Sequence, residues 1–258
     1  MNQKLIAFDI DGTLLNSRNQ ILPTSIKAIQ KLQADGHIVT IATGRSRFLV
    51  QDIIDQLRLS TYVLCNGAVA FHENERLINK GLDRKLMKDL QFFMEVSGMD
   101  LAVTGIDQMA RVTDNHAETF EKVMHGLGKE DLDFQIDFIE KVDVYQGLGF
   151  YQSDRDGTFE ENFPQLRFVR WLDDCVDIID KDMSKAVTVL ELAEKLGISQ
   201  NNIIAFGDGM NDKEILAAAG IGVAMGNASE EVQAVADMVT ASNDQDGIAV
   251  ALQKLELI

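Results

Sequence analysis

The sequence predicts an α/β fold, a doubly wound parallel sheet interrupted by an inserted α+β segment. Three observations carry this expectation. Short apolar runs bounded by turn residues alternate with amphipathic stretches in the first 80 residues, the same rhythm returns after residue 184, and it is lost between them.

Leu5–Ile10 (LIAFDI) is an apolar run suited to a buried parallel strand, followed by turn residues. Pro23 and Thr24 open a helix carrying Ile26, Ile29 and Leu32, and Gly36 stops it. His37–Ala42 (HIVTIA) is a second strand, Ser46 is placed to cap a helix through Leu57, and Tyr62–Cys65 (YVLC) is a third strand. Ala68–Phe71 and Leu77–Ile78 suggest a hairpin leading out of the core. A helix around Leu86–Val96 and strands at Leu101–Thr104 and Met109–Val112 belong to the altered middle third. The final third reads as helix Lys185–Leu196, strand Ile203–Phe206, helix Asp212–Ala219 and strand Ile221–Ala224. A helix from Ser229, a strand at Met238–Thr240 and a helix from Asp246 end the pattern. Residues 1–82 and 184–258 therefore form one discontinuous core, and residues 83–183 an insertion.

The formal net charge is −17, with −12 falling in residues 83–182 and −5 in the remainder. Such a surface argues against nucleic acid or an anionic membrane as a partner, since both need basic patches. The N-terminal apolar run is too short for a signal peptide, and the Ala/Gly-centred stretch Ile215–Gly226 is too short and weakly apolar to span a bilayer. Cys65 and Cys175 lie far apart without metal-ligand spacing and read as reduced thiols of a cytoplasmic protein.

Ligands of an open parallel sheet sit beyond the carboxyl ends of its strands. Four polar clusters fall there: Phe8–Thr13 (FDIDGT), Ala42–Arg45 (ATGR), Ser184–Lys185 and Gly207–Asp212 (GDGMND). On an extended strand end Asp9 and Asp11 would share one face, with Gly12 breaking the chain and Thr13 bonding a local backbone group. Carboxylates held together repel unless a cation lies between them or one keeps a proton. Asp208 and Asp212 would complete an all-oxygen site suited to Mg²⁺. Thr43 and Lys185 add a hydroxyl and an ammonium, the donors that a phosphate needs. A chance DxDGT arises about once in 10⁵ positions. Neither acidic cluster has calcium-loop spacing, and Asp212 stands where a dinucleotide fingerprint needs its third glycine.

Other polar residues have blander readings. His37, His72, His116 and His125 are scattered and read as structural or exposed, and Met210 reads as packing. Arg45 could meet phosphate or an acidic neighbour, and Asn66–Gly67 could be a plain turn or an amide at the pocket mouth.

In order and combination, Asp9–Leu15 (DIDGTLL), ATGR, Cys65–Ala68 (CNGA), Ser184–Lys185 and GDGMND resemble the haloacid dehalogenase superfamily, specifically its Cof-type phosphatases. The resemblance spans essentially the whole chain, departing where Ala186 follows Lys185 in place of the usual glycine. It implies a Rossmann-like core, an inserted cap that selects substrate, and Mg²⁺-dependent hydrolysis of small phosphorylated metabolites: sugar, nucleotide or vitamin phosphates. It further implies that Asp9 is the nucleophile and a metal ligand. Asp11 is then the general acid–base and gives its main-chain carbonyl to the metal. Ile10, Thr43, Gly44, Lys185 and Asn211 would hold phosphate oxygens, Asp208 would ligate Mg²⁺, and Asp212 would support it directly or through water. A phosphomutase with the same nucleophile and a phosphate- or metal-sensing module are the competing expectations.

Overall fold

The computed structural model describes residues 3–115, 117–126 and 133–258. The chain forms two compact units. One holds the chain through Thr43, Asp52–Ile78 and Ser184–Ile258; the other holds Gly44–Gln51 and Asn79–Met183.

In chain order the first elements are β1 (Leu5–Phe8), α1 (Pro23–Ala34), β2 (Ile38–Ala42), α2 (Arg47–Leu57), β3 (Thr61–Leu64), β4 (Val69–His72) and β5 (Glu75–Asn79). The middle third supplies α3 (Arg84–Val96), β6 (Asp100–Thr104), β7 (Met109–Arg111), α4 (Ala117–Gly126), α5 (Phe138–Lys141), β8 (Gln146–Phe150), β9 (Leu166–Leu172) and β10 (Cys175–Asp180). The last are α6 (Lys185–Lys195), β11 (Ile203–Gly207), α7 (Lys213–Ala218), β12 (Ile221–Ala224), α8 (Glu230–Gln233), β13 (Met238–Val239) and α9 (Gly247–Lys254).

The first unit is built on a sheet ordered β13-β12-β11-β1-β2-β3-β4-β5. Pairing is parallel from β13 to β3, with Leu5 opposite both Ile203 and Ile38. β1 sits in the middle and is buried throughout, as a parallel strand covered on both faces must be. From β1 the chain winds outward through β2 and β3, and from β11 it winds the opposite way through β12 and β13. The connections therefore diverge between β1 and β11, which opens a crevice at their carboxyl ends. The two runs expected as a hairpin, Ala68–Phe71 and Leu77–Ile78, correspond to β4 and β5, neighbours at the edge of this sheet, and the chain passes to the other unit after Ile78. β4 pairs antiparallel with β3, and its Val69, Ala70 and Phe71 are buried.

α1 starts with Pro23 at its first turn and buries Ser25, Ala28, Ile29 and Leu32, the spacing of one helical face. The cap expected from Ser46 does not form. Its hydroxyl is buried without a hydrogen-bond partner, and its carbonyl instead accepts from the Leu49 N–H at 3.0 Å.

The second unit has an antiparallel sheet ordered β7-β6-β8-β10-β9. α3 is capped by Asp83, whose carboxylate accepts from the Leu86 N–H at 2.8 Å. It buries Met87, Leu90 and Met94 in an apolar core shared with Phe138, Phe159 and Phe163. Within this unit Arg47 forks onto Asp107 at 2.6 and 2.7 Å, and the Phe48 N–H donates to the Ile106 carbonyl at 3.0 Å.

Candidate active site

β1 ends at Phe8, and the Asp9 N–H makes one more ladder bond to the Phe206 carbonyl at 2.9 Å. The chain then folds into a tight turn. The Ile10 carbonyl accepts from the N–H groups of Thr13 and Leu15, and the Asp9 carbonyl accepts from Leu14. This turn replaces the extended strand end expected between the two acids. Asp9 is buried at the strand end, whereas Asp11 is exposed beyond it. The Ile10 side chain is fully buried.

Lys185, the first residue of α6, reaches into the first unit with only 1% of its surface exposed. Its ammonium donates to Asp9 Oδ1 and to Asp212 Oδ1, each at 2.7 Å. The second Asp212 oxygen accepts from the backbone N–H groups of Asp208 at 3.1 Å and Gly209 at 2.9 Å. Asp212 is thus held by three donors, and it in turn fixes Lys185. Burial works against the charge on Lys185, but the Asp212 and Asp9 carboxylates outweigh it and hold the ammonium above its ordinary range. Asp9 is displaced upward, first by burial and then by the Asp212 charge, with Lys185 opposing and Asp11 adding a smaller push.

Asp208 follows β11 and is gripped from the β1 loop. Thr13 Oγ1 donates to Asp208 Oδ1 at 2.8 Å, so this hydroxyl serves a residue far away in sequence rather than the local turn expected of it. Gly12 has φ +76°, and a Cβ there would lie 2.1 Å from Asp208 Oδ2, so the approach of the two loops requires glycine. Burial pushes the Asp208 carboxyl up to about 6, opposed by the Thr13 hydrogen bond and reinforced by the Asp212 charge.

A third loop follows β3. Cys65, Asn66 and Gly67 all have positive φ, at 52°, 53° and 100°. Asn66 donates its N–H to the Thr43 carbonyl at 3.0 Å, and its side-chain oxygen accepts from Asn211 Nδ2 at 3.3 Å. The Gly67 carbonyl accepts from Thr188 Oγ1 at 2.6 Å. A Cβ on Gly67 would approach the Ser184 carbonyl to 2.4 Å. The turn therefore joins the segments carrying Thr43, Lys185 and Asn211.

Of the expected site residues, Asp9, Thr43, Lys185 and Asp212 are buried, Asp208 is half-buried, and Asp11 and Asn211 are exposed. Gly44 is half-exposed and begins the Gly44–Gln51 segment of the other unit. Arg45 is half-exposed, and Met210 is 55% exposed rather than packed. His37 is buried and accepts at Nδ1 from the Lys4 N–H, His72 pairs with Thr61 at 2.9 Å, and His125 is exposed. His116 lies outside the described residues. Cys65 and Cys175 are both free and buried.

Among the described residues, Asp9, Asp208 and Asp212 can each offer a carboxylate oxygen lying within 4.8 Å of the others. The donor set is all oxygen and suits a hard cation such as Mg²⁺. Burial is the first cause of the upward displacement of both Asp9 and Asp208, and the neighbouring Asp212 charge adds to it.

The haloacid dehalogenase-like hydrolase family model matches residues 6–252. The 5-amino-6-(5-phospho-D-ribitylamino)uracil phosphatase YcsE of Bacillus subtilis is 30% identical, over 97% of this chain and 94% of its own. Among solved structures, a Geobacillus kaustophilus protein is 36% identical with a TM-score of 0.93, each chain covered fully. The sugar phosphatase BT4131, of subclass IIB, is 28% identical with a TM-score of 0.88 over 99% of this chain and all of its own. The chain belongs to the haloacid dehalogenase-like hydrolases and is similar to their Cof-type phosphatases. It is a phosphoric monoester hydrolase. Among the described residues no helix is long and apolar enough to cross a membrane.

Proposed function

We propose that this enzyme hydrolyses small phosphate monoesters through an aspartyl-phosphate on Asp9, with Mg²⁺ held by Asp9, Asp208, the Asp11 carbonyl and, directly or through water, Asp212. The observation that carries the reading is the buried ammonium of Lys185 shared between Asp9 and Asp212. It fixes one Asp9 oxygen and leaves the other to act. Bound Mg²⁺ would supply positive charge against the repulsion between a phosphate dianion and these carboxylates.

An Asp9 oxygen attacks phosphorus while the ester P–O bond breaks. Asp11, protonated at first, gives its proton to the departing alkoxide. Lys185, the Thr43 hydroxyl, the Asn211 amide and the Ile10 N–H stabilise charge on the transferring phosphoryl oxygens. Asp11 then takes a proton from water, which attacks phosphorus and returns the Asp9 carboxylate with release of phosphate.

The substrate class is a phosphate on a polyhydroxylated carbon chain, supported by the ribityl and sugar phosphates in the names of two similar proteins. Residues 83–183 are the part proposed to read the alcohol. The buried free thiols of Cys65 and Cys175 suit a cytoplasmic enzyme. Asp9→Asn should lower kcat at least about a thousandfold, or about 4 kcal/mol. The assay is release of inorganic phosphate from a panel of sugar and polyol phosphates. Turnover near wild type in this variant would overturn the reading, and isomer formation without phosphate release would make the enzyme a mutase.

A further inference from the structure

Beyond the motif residues, one side chain ties the proposed metal-binding loops together. Asn227 lies three residues past β12, at the same carboxyl edge as Asp9 and Asp208. Its Nδ2 donates to the Gly12 carbonyl at 2.9 Å and to Asp208 Oδ2 at 3.2 Å. Its Oδ1 accepts from the Asn243 N–H at 3.0 Å, and Asn243 Nδ2 donates to the Leu15 carbonyl at 2.8 Å. This pattern fixes the amide orientation. Reversing it would set Oδ1 against two acceptors and Nδ2 against a donor. The residue is nevertheless exposed, where water could satisfy every one of these groups.

An exposed amide engaged on all sides contributes little by burial, so its consequence lies in what it orients. Asp208 is the group oriented. Thr13 holds Oδ1 from one side and Asn227 holds Oδ2 from the other, which sets the plane of the carboxylate and leaves its remaining lone pairs in a fixed direction. Asn227 also holds the carbonyl of Gly12, the residue whose close approach to Asp208 requires glycine. We infer that Asn227 is a positioning residue for the cation site, aligning Asp208 with the loop that carries Asp9 and Asp11. This rests on the proposed metal site. Outer groups of this kind typically set metal affinity by about 10- to 100-fold.

The test is direct Mn²⁺ binding, followed by electron paramagnetic resonance of the unbound ion, in wild type, Asn227→Ala and Ser17→Ala. Ser17 Oγ ties the same β1 loop to the segment that carries Asn243, donating to Asp244 Oδ1 at 3.0 Å, but it bonds no carboxylate of the site, so loss of this hydroxyl reports anchoring of the β1 loop alone. The expected result is a Kd for Mn²⁺ raised about tenfold or more in Asn227→Ala and unchanged in Ser17→Ala. Asn227→Ser, whose hydroxyl is too short to span both acceptors, should behave as the alanine variant does and replaces it if that variant does not fold. Wild-type Kd in a folded Asn227 variant, or an equal loss in Ser17→Ala, overturns the inference. Absence of Mn²⁺ binding in the wild type would instead overturn the metal site on which it stands.

Discussion

At the residue scale, buried charge and buried imidazole are handled by different means. Lys185 keeps its proton because two carboxylates face it at 2.7 Å. His37 is kept neutral because burial disfavours its charged form, although Asp35 pulls the other way. Its Nδ1 must hold a lone pair to accept from the Lys4 N–H, so protonation breaks that bond. His37 has a lower pKa folded than unfolded, so the unfolded chain binds the proton first as pH falls. Its contribution is complete above about pH 6.5 and is lost as pH falls through the folded value. His37→Asn offers an acceptor near the Nδ1 position that does not titrate. Urea unfolding from pH 7.5 to 5 should show wild type losing stability relative to this variant, and parallel curves would refute the assignment. None of this was legible from a lone histidine, since its partner is the backbone just before β1, 33 residues away in sequence.

Among the secondary-structure elements, the motifs around Asp9, Thr43, Asn66 and Asp208 were readable because each follows a short apolar strand, and strand ends in a parallel sheet converge on one edge, whereas Ser184–Lys185 opens a helix. What was not readable depended on chain segments meeting in space. Thr13 reads locally as a turn residue, yet it bonds Asp208; Asn227 carries no acidic or basic signal, although its place just past β12 obeys the same edge rule. Ser46 precedes α2 with the right residue type, but its hydroxyl makes no cap. The strand read through Cys65 stops at Leu64, because Cys65 takes φ 52° and begins the strained turn. That turn makes a quantitative prediction. Gly67→Ala and Gly98→Ala both place alanine at positive φ, which costs about 1–2 kcal/mol. Nothing lies within 4 Å of a Cβ at Gly98, whereas at Gly67 the Ser184 backbone is in the way. Gly67→Ala should therefore lose more stability than Gly98→Ala in urea unfolding and should also slow catalysis by displacing the start of α6. Equal stability losses with unimpaired turnover would show that the turn does not set the Lys185 position.

At the scale of the whole molecule, the groups proposed for chemistry are carried by the two ends of the chain, and the acidic middle third carries none of the proposed nucleophile, acid or metal ligands. Replacing residues 83–183 by a short Gly/Ser linker should leave slow cleavage of an activated aryl phosphate and abolish discrimination among natural esters, read as kcat/KM ratios across the substrate panel. Preference retained in full would assign specificity to the sheet-edge loops. The phosphoryl group proposed to sit on Asp9 can be trapped during turnover. An acyl phosphate is reduced by borohydride to the alcohol, so enzyme quenched during turnover and then reduced should contain homoserine in place of aspartate at position 9, read by peptide mass spectrometry. Homoserine is expected at Asp9 in the wild type, only in the presence of substrate, and none in Asp9→Asn. Homoserine at another aspartate, or steady turnover with Asp9 unmodified at every quench time, would contradict the proposed Asp9 intermediate.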